Sequence, residues 1–183
     1  QLDTADLSLS IPVKVIEVHR SNLRVIGISL DCFVPPFYSS DEDHKDQATV
    51  GDWLLLDIKT LQPHRLLSRK SVIKRQAAGI EHKRQLIAAN VDTLFIVSSC
   101  NLDFNIPRLE RYLVLAAEAN ITPVIILTKV DLVKNPEDFV RKARKLQPGL
   151  IVETVNGLAA ESAMHLIEWC AKGQTVALLG SSG

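Results

Sequence analysis

The sequence predicts an α/β protein with an N-terminal all-β domain, and three observations carry that expectation. Up to residue 73 short stretches of alternating apolar and polar residues follow one another, with turn residues between them and no helical period. From residue 90 onward, continuous apolar runs of the kind buried on both faces alternate with amphipathic helical stretches, the order of a parallel sheet with crossover helices. The charge is also uneven within a neutral total: residues 1–60 hold ten acids against five Lys or Arg, whereas 64–85 hold seven Lys or Arg against Glu81 alone. The expected organisation is therefore a β-domain over 1–73, a basic linker over 74–89 and an α/β domain over 90–183.

Residues 1–10 are polar and read as a lead-in. Residues 13–19 alternate with the period of a half-buried strand, Ser21 and Asn22 supply a turn, and 23–30 return as a second strand. Residues 32–37 continue the sheet up to Pro35 and Pro36, which belong at an edge or in a loop. The run SSDEDHKDQ at 39–47 is an exposed loop by composition and reads as a solvated hairpin tip, with metal binding as the alternative. Residues 50–58 and 66–73 complete five short strands, and Trp53, inside one of them, reads either as core or as a stacking platform.

In the second half, 93–98 is a buried strand. Residues 107–120 form a helix with Leu109, Leu113 and Ala116 on one face and Pro107 in its first turn. Residues 124–127 are the next strand and 136–146 a second helix carrying Phe139, Ala143 and Leu146. A short strand at 150–152, a third helix at 159–172 and a last strand at 175–179 complete the alternation.

Two junctions bear chemistry. The strand at 124–127 runs straight into Thr128, Lys129, Val130 and Asp131, and ligands in open α/β sheets lie beyond the carboxyl ends of strands. A carboxylate at Asp131 can accept from the paired N1 and N2 donors of guanine while the stem of Lys129 packs along the base. The plainer alternative is a polar loop opened by Thr128. The last strand likewise runs into Gly180, Ser181, Ser182 and Gly183, which read either as the start of a phosphate-binding loop or as a flexible terminus.

TKVD standing before an LLGSSG junction, together with RQAAG at 75–79 and AANVDTLFIV at 88–97, resembles the circularly permuted GTPases of the ribosome small-subunit-dependent GTPase A family, RsgA or YjeQ. The resemblance runs from about Val13 onward. It implies an OB-type barrel in the first domain and a partial, permuted P-loop GTPase domain in the second. It also implies GTP as substrate, magnesium in the full-length protein, and zinc only in a C-terminal domain beyond this sequence. Guanine would be held by Thr128, Lys129, Val130 and Asp131, and by a second loop near Thr154. Phosphate would be held by Gly180, Ser181, Ser182 and Gly183.

The implied partner is the small ribosomal subunit, with Arg69, Lys74 and Arg75 on rRNA phosphates; an ordinary solvated connector is the alternative for that stretch. Thr128 stands where relatives often carry Asn, and the match around Thr154 is poor, so a diverged rRNA-binding module without GTP turnover is the competing function. The start at Gln1 and the end inside a glycine loop suggest a fragment that does not hydrolyse GTP by itself, with no catalytic residue of its own.

Cys32, Cys100 and Cys170 are far apart and odd in number, which indicates neither a disulfide framework nor a zinc site and suits reduced, mostly buried thiols. No apolar run is long enough to span a bilayer and no signal segment opens the chain. A soluble, cytoplasmic monomer with no membrane partner is expected.

Overall fold

The computed structural model describes residues 9–38, 47–76 and 84–181. The acidic run at 39–46, residues 77–83 of the expected linker, and Ser182 and Gly183 lie outside the described residues. The chain divides into two compact units, Gln1–Asn90 and Val91–Gly183.

The first unit holds β1 (Ser10–Val18), β2 (Leu23–Gly27), β3 (Leu30–Val34), β4 (Trp53–Asp57) and β5 (Pro63–Leu66). They form an antiparallel sheet in the order β3-β2-β1-β4-β5. β1 is shared: its first half pairs with β4 and its second half with β2, and the register shifts between Val15 and Glu17. A bulge there increases the local twist and lets one strand serve two halves of a coiled sheet, as in an OB-type barrel.

Alternation sends Val13, Val15, Leu23, Val25, Leu54 and Leu56 into a closed core, completed by Ile11, Leu30, Cys32, Phe37 and Leu66. Full burial of one such aliphatic side chain stabilises by about 1.5 to 3 kcal/mol. Trp53 lies on the opposite face, 40% exposed, with the Lys14 ammonium 5.9 Å from the ring centroid.

The expected strand at 66–73 is in fact two elements. Leu66 ends β5, and Val72 opens β6 (Val72–Gln76), which pairs antiparallel with β7 (Arg84–Ala89). The segment expected as a basic linker over 74–89 therefore carries most of a two-stranded ribbon. Apolar residues at Ile73 and Ala89 tie it down, because both are buried.

The base of that ribbon is fixed to the turn before β4. The Ala89 N–H donates to the Val50 carbonyl (2.8 Å) and the Asn90 side-chain amide to the Gly51 carbonyl (3.0 Å). Gly51 has φ +89°, and a Cβ there would stand 2.1 Å from the Ala89 carbonyl oxygen, so only glycine fits.

The second unit holds β8 (Thr93–Ser99), α1 (Ile106–Glu118), β9 (Thr122–Thr128), α2 (Glu137–Arg144), β10 (Ile151–Val155) and β11 (Val176–Gly180). The four strands run parallel in the order β10-β9-β8-β11. α1 begins where expected: the Asn105 side chain accepts from the Arg108 N–H (2.9 Å), and Leu109, Leu113 and Ala116 are its buried face.

The expected third helix at 159–172 is instead a 3-10 segment, Ala160–Cys170. Its apolar contacts explain the choice. Ala163, Leu166 and Trp169 pack against the core of Phe95, Val124, Ile126 and Val155. A spacing of three lines them up in one column at three residues per turn, whereas an α-helix would rotate them apart.

Cys100 is buried, Cys32 half-buried and Cys170 exposed, so the expectation of mostly buried thiols fails at Cys170, which ends the 3-10 segment. Among the described residues no helix is long and apolar enough to cross a membrane, which says nothing of β-barrels.

Candidate functional site: the carboxyl edge of the parallel sheet

Parallel pairing brings the carboxyl ends of all four strands, at Ser99, Thr128, Val155 and Gly180, to one edge of the second unit. The chain steps outward from β8 to β9 to β10 and then returns on the far side of β8 as β11. Strand order thus reverses between β8 and β11, and the crevice at such a point is where open α/β sheets bind ligands.

Thr128 closes β9. Its hydroxyl reaches the Ser98 carbonyl at 3.5 Å, and its own carbonyl accepts from the Cys100 N–H at 2.8 Å. Lys129 then adopts the left-handed conformation, φ 60°, and turns the chain into a single 3-10 turn, Val130–Leu132. Lys129 and Asp131 are exposed at that turn and Val130 is half-buried.

Gly180 closes β11 opposite Val97, and a Cβ there would lie 2.8 Å from the Val97 carbonyl oxygen. The strand pairing itself therefore requires glycine. Ser181 follows at once and its hydroxyl hydrogen-bonds Oδ2 of Asp103.

Thr154 sits inside β10, paired with Leu127, rather than in the loop after it. The turn proper begins at Asn156, whose side chain accepts from the Leu158 N–H (3.0 Å) and whose own N–H donates to the Ser162 hydroxyl (2.8 Å). Val152 and Val155, on opposite faces of β10, are both buried, and the strand runs past the expected 150–152 to Val155.

Asp103 is the site residue that reading the sequence missed. It lies in the loop between β8 and α1, built on Asn101, whose Oδ1 accepts from the Ser99 hydroxyl (2.8 Å) and the Asp103 N–H (2.9 Å). Arg108 pairs with its Oδ1 at 2.9 Å. The Ser181 hydroxyl, then the Arg108 guanidinium, hold the Asp103 carboxyl below the usual carboxylate range, and the Lys129 charge adds to the effect. The loop also reaches α2, since the Phe104 and Phe139 rings meet edge to face at 5.1 Å. The available signal was an acid just beyond a buried strand and just before a helix cap.

In the first unit the three cations expected on RNA separate. Lys74 and Arg75 are exposed on β6. Arg69 is not available in the same way: its Nε and Nη2 donate to the two oxygens of Asp52 at 2.8 and 2.7 Å, and Asp52 is fully buried. A buried carboxylate requires a charged partner, so the fold holds Arg69.

The RsgA GTPase family model matches residues 66–183. The chain belongs to the RsgA GTPase family. It is 46% identical, over its whole length, to the small ribosomal subunit biogenesis GTPase RsgA 2 of Vibrio parahaemolyticus, of which it covers 49%. It is also 46% identical over its whole length to the small ribosomal subunit biogenesis GTPase RsgA of Mesorhizobium japonicum, covering 51%. The chain spans about half the length of the curated relatives it matches.

Two solved structures share its fold. YloQ, a circularly permuted GTPase, superposes with a TM-score of 0.68 at 21% identity, over 95% of this chain and 61% of that one. YjeQ from Thermotoga maritima gives 0.71 at 19% identity, over 96% and 62%. The fold of this RsgA family member is thus an OB-like antiparallel sheet followed by part of a circularly permuted GTPase domain. In that arrangement TKVD precedes the glycine loop in sequence and stands at the same sheet edge in space.

Proposed function

We propose that the carboxyl edge of the parallel sheet binds a guanine nucleotide, and that the whole protein hydrolyses GTP in the maturation of the small ribosomal subunit. One observation supports the site most strongly: Asp131, exposed behind the left-handed Lys129, shares a sheet edge with a glycine that no other residue can replace. Asp131 would accept from guanine N1 and N2, and the Lys129 stem would cover the base. Thr128 would brace this loop, and the backbone after Asn156 would supply a donor to guanine O6 in place of Thr154. Gly180, Ser181, Ser182 and Gly183 would begin the phosphate cradle. Successive N–H groups turned inward there offset the charge of the phosphates.

The described residues gather no group of three or more acids, His or Cys for an ion of their own. Magnesium enters this reading as the companion of the nucleotide's phosphates, and zinc belongs to a further domain. The first unit would contact rRNA through Lys74 and Arg75, each neutralised phosphate adding a salt-dependent increment to affinity. A cytoplasmic monomer acting on the small subunit and its rRNA completes the proposal.

The test is GTP and ATP hydrolysis by the full-length protein, with and without purified small ribosomal subunits. Turnover of GTP alone, increased by the subunits, is the expected result. RNA binding without nucleotide binding would instead favour a diverged rRNA-binding module.

A further inference from the structure

We infer that Asp103 is a positioning residue for the phosphate-binding loop, fixing the direction in which the chain leaves β11 by holding Ser181 across the switch-point crevice. This rests on the guanine-nucleotide reading above and names a residue that reading does not use.

The geometry divides the carboxylate between two tasks. Oδ1 pairs with Arg108 on α1, and Oδ2 accepts from the Ser181 hydroxyl, 78 positions away in sequence. Asn101 already fixes the loop through its side chain, and Asn105 already caps α1, so neither local structure needs the bond to Ser181. What that bond adds is a link between the loop after β8 and the first residue after Gly180. Because Gly180 is itself packed against the Val97 carbonyl, anchoring the next side chain fixes the direction in which the chain leaves β11 at Ser181.

The same loop is tied to the base side of the site. The Cys100 N–H donates to the Thr128 carbonyl, and Lys129 stands near enough to act on the Asp103 charge. Asp103 thereby joins the base loop and the phosphate loop through one short, internally bonded segment. Arg108 and Lys129 also compensate the carboxylate, which would otherwise repel a nucleotide's phosphates.

This compensation gives the inference a sign. By charge alone, removing a carboxylate from an anion site tightens phosphate binding. A positioning role predicts the opposite. In the full-length protein with magnesium, Asp103→Ala is expected to weaken GDP and GTP binding roughly tenfold, the loss of one charge-assisted hydrogen bond. Ser181→Ala, which changes no charge and lies outside the packed core, should weaken binding by a similar factor. The double variant should be no weaker than the worse single variant, because both remove one interaction.

Binding of guanosine, which has no phosphate, should change less than twofold in all three. Melting temperatures report whether Asp103→Ala is folded, and Ser181→Ala carries the test if it is not. Unchanged or tighter GDP binding in the single variants, or additive losses in the double, overturns the positioning role while leaving the nucleotide site standing. Failure of the wild-type protein to bind GDP at all overturns both.

Discussion

Replacing Arg69 by Ala should destabilise the first unit severely, although Arg69 lies in the most basic stretch of the sequence. Asp52 is fully buried and accepts three hydrogen bonds: two from Arg69 and one from the Thr49 N–H at 2.8 Å. The substitution removes the first two and leaves a buried carboxylate whose remaining donor among the described residues is the neutral Thr49 N–H. Breaking a buried pair in this way costs about 3 to 5 kcal/mol. Domains of this size are stable by only about 5 to 15 kcal/mol, and each kcal/mol shifts their melting point by roughly 4 to 8 °C.

The expected outcome is thus a midpoint lowered by more than about 12 °C, or partial unfolding at room temperature. Trp53 lies in the first unit and Trp169 in the second, so denaturation followed by fluorescence in a Trp169→Phe background reports on the first unit alone. Arg69→Lys keeps the charge but loses the two-pronged geometry and should fall between wild type and Arg69→Ala. Exchanging both partners, Asp52→Asn with Arg69→Met, should recover part of the loss. A shift below about 0.5 kcal/mol for Arg69→Ala, the size typical of a surface pair, would refute the reasoning.

Lys74→Ala with Arg75→Ala should leave that midpoint unchanged but weaken binding to small-subunit rRNA, flattening its salt dependence by roughly 0.7 to 0.9 per lost contact; filter binding from low to moderate salt measures it. A thiol reagent should label Cys170 well before Cys100, because burial both shields the Cys100 sulfur and raises its pKa; mass-mapped alkylation over time gives the order. Glu17 and Asp31 both bond Arg24, which holds their folded-state pKa values below the ordinary carboxylate value. Their contribution to stability is therefore full above that range and lost as pH falls through the lowered values. Urea midpoints from pH 7 to pH 3 should show this acid loss in wild type and less of it in Arg24→Ala.

Strands marked by a continuous apolar run and helices with strong apolar stripes were legible because those patterns are local. The runs at 93–98 and 124–127 became β8 and β9, and the Leu109, Leu113, Ala116 stripe became the buried face of α1. The β6 and β7 ribbon was not legible, since Lys74 and Arg75 mask its alternation and its partner lies beyond 77–83. Nor was the 3-10 segment, whose spacing of three has meaning only once the sheet face it covers is known. At the site, TKVD and the glycine loop announce themselves by residue type. Asp103 does not, because the side chain it bonds lies 78 positions away. Arg69 misled for the same reason: its sequence neighbours are cations, but its spatial neighbour is a buried acid.

The most direct measurement of the central claim is nucleotide selectivity at Asp131 in the full-length protein. In the proposed site the carboxylate would accept from guanine's N1 and N2 donors; an amide at that position would offer a donor in place of one acceptor and suit the extra carbonyl of xanthine. A well-made polar pair of this kind is worth about 1 to 3 kcal/mol, or roughly tenfold to more than a hundredfold in affinity. Competition titrations should show wild type preferring GTP over xanthosine triphosphate, and Asp131→Asn reversing that preference. Equal GTP affinity in the two proteins, with no gain for xanthosine triphosphate, would contradict the assignment of Thr128, Lys129 and Asp131 to the base.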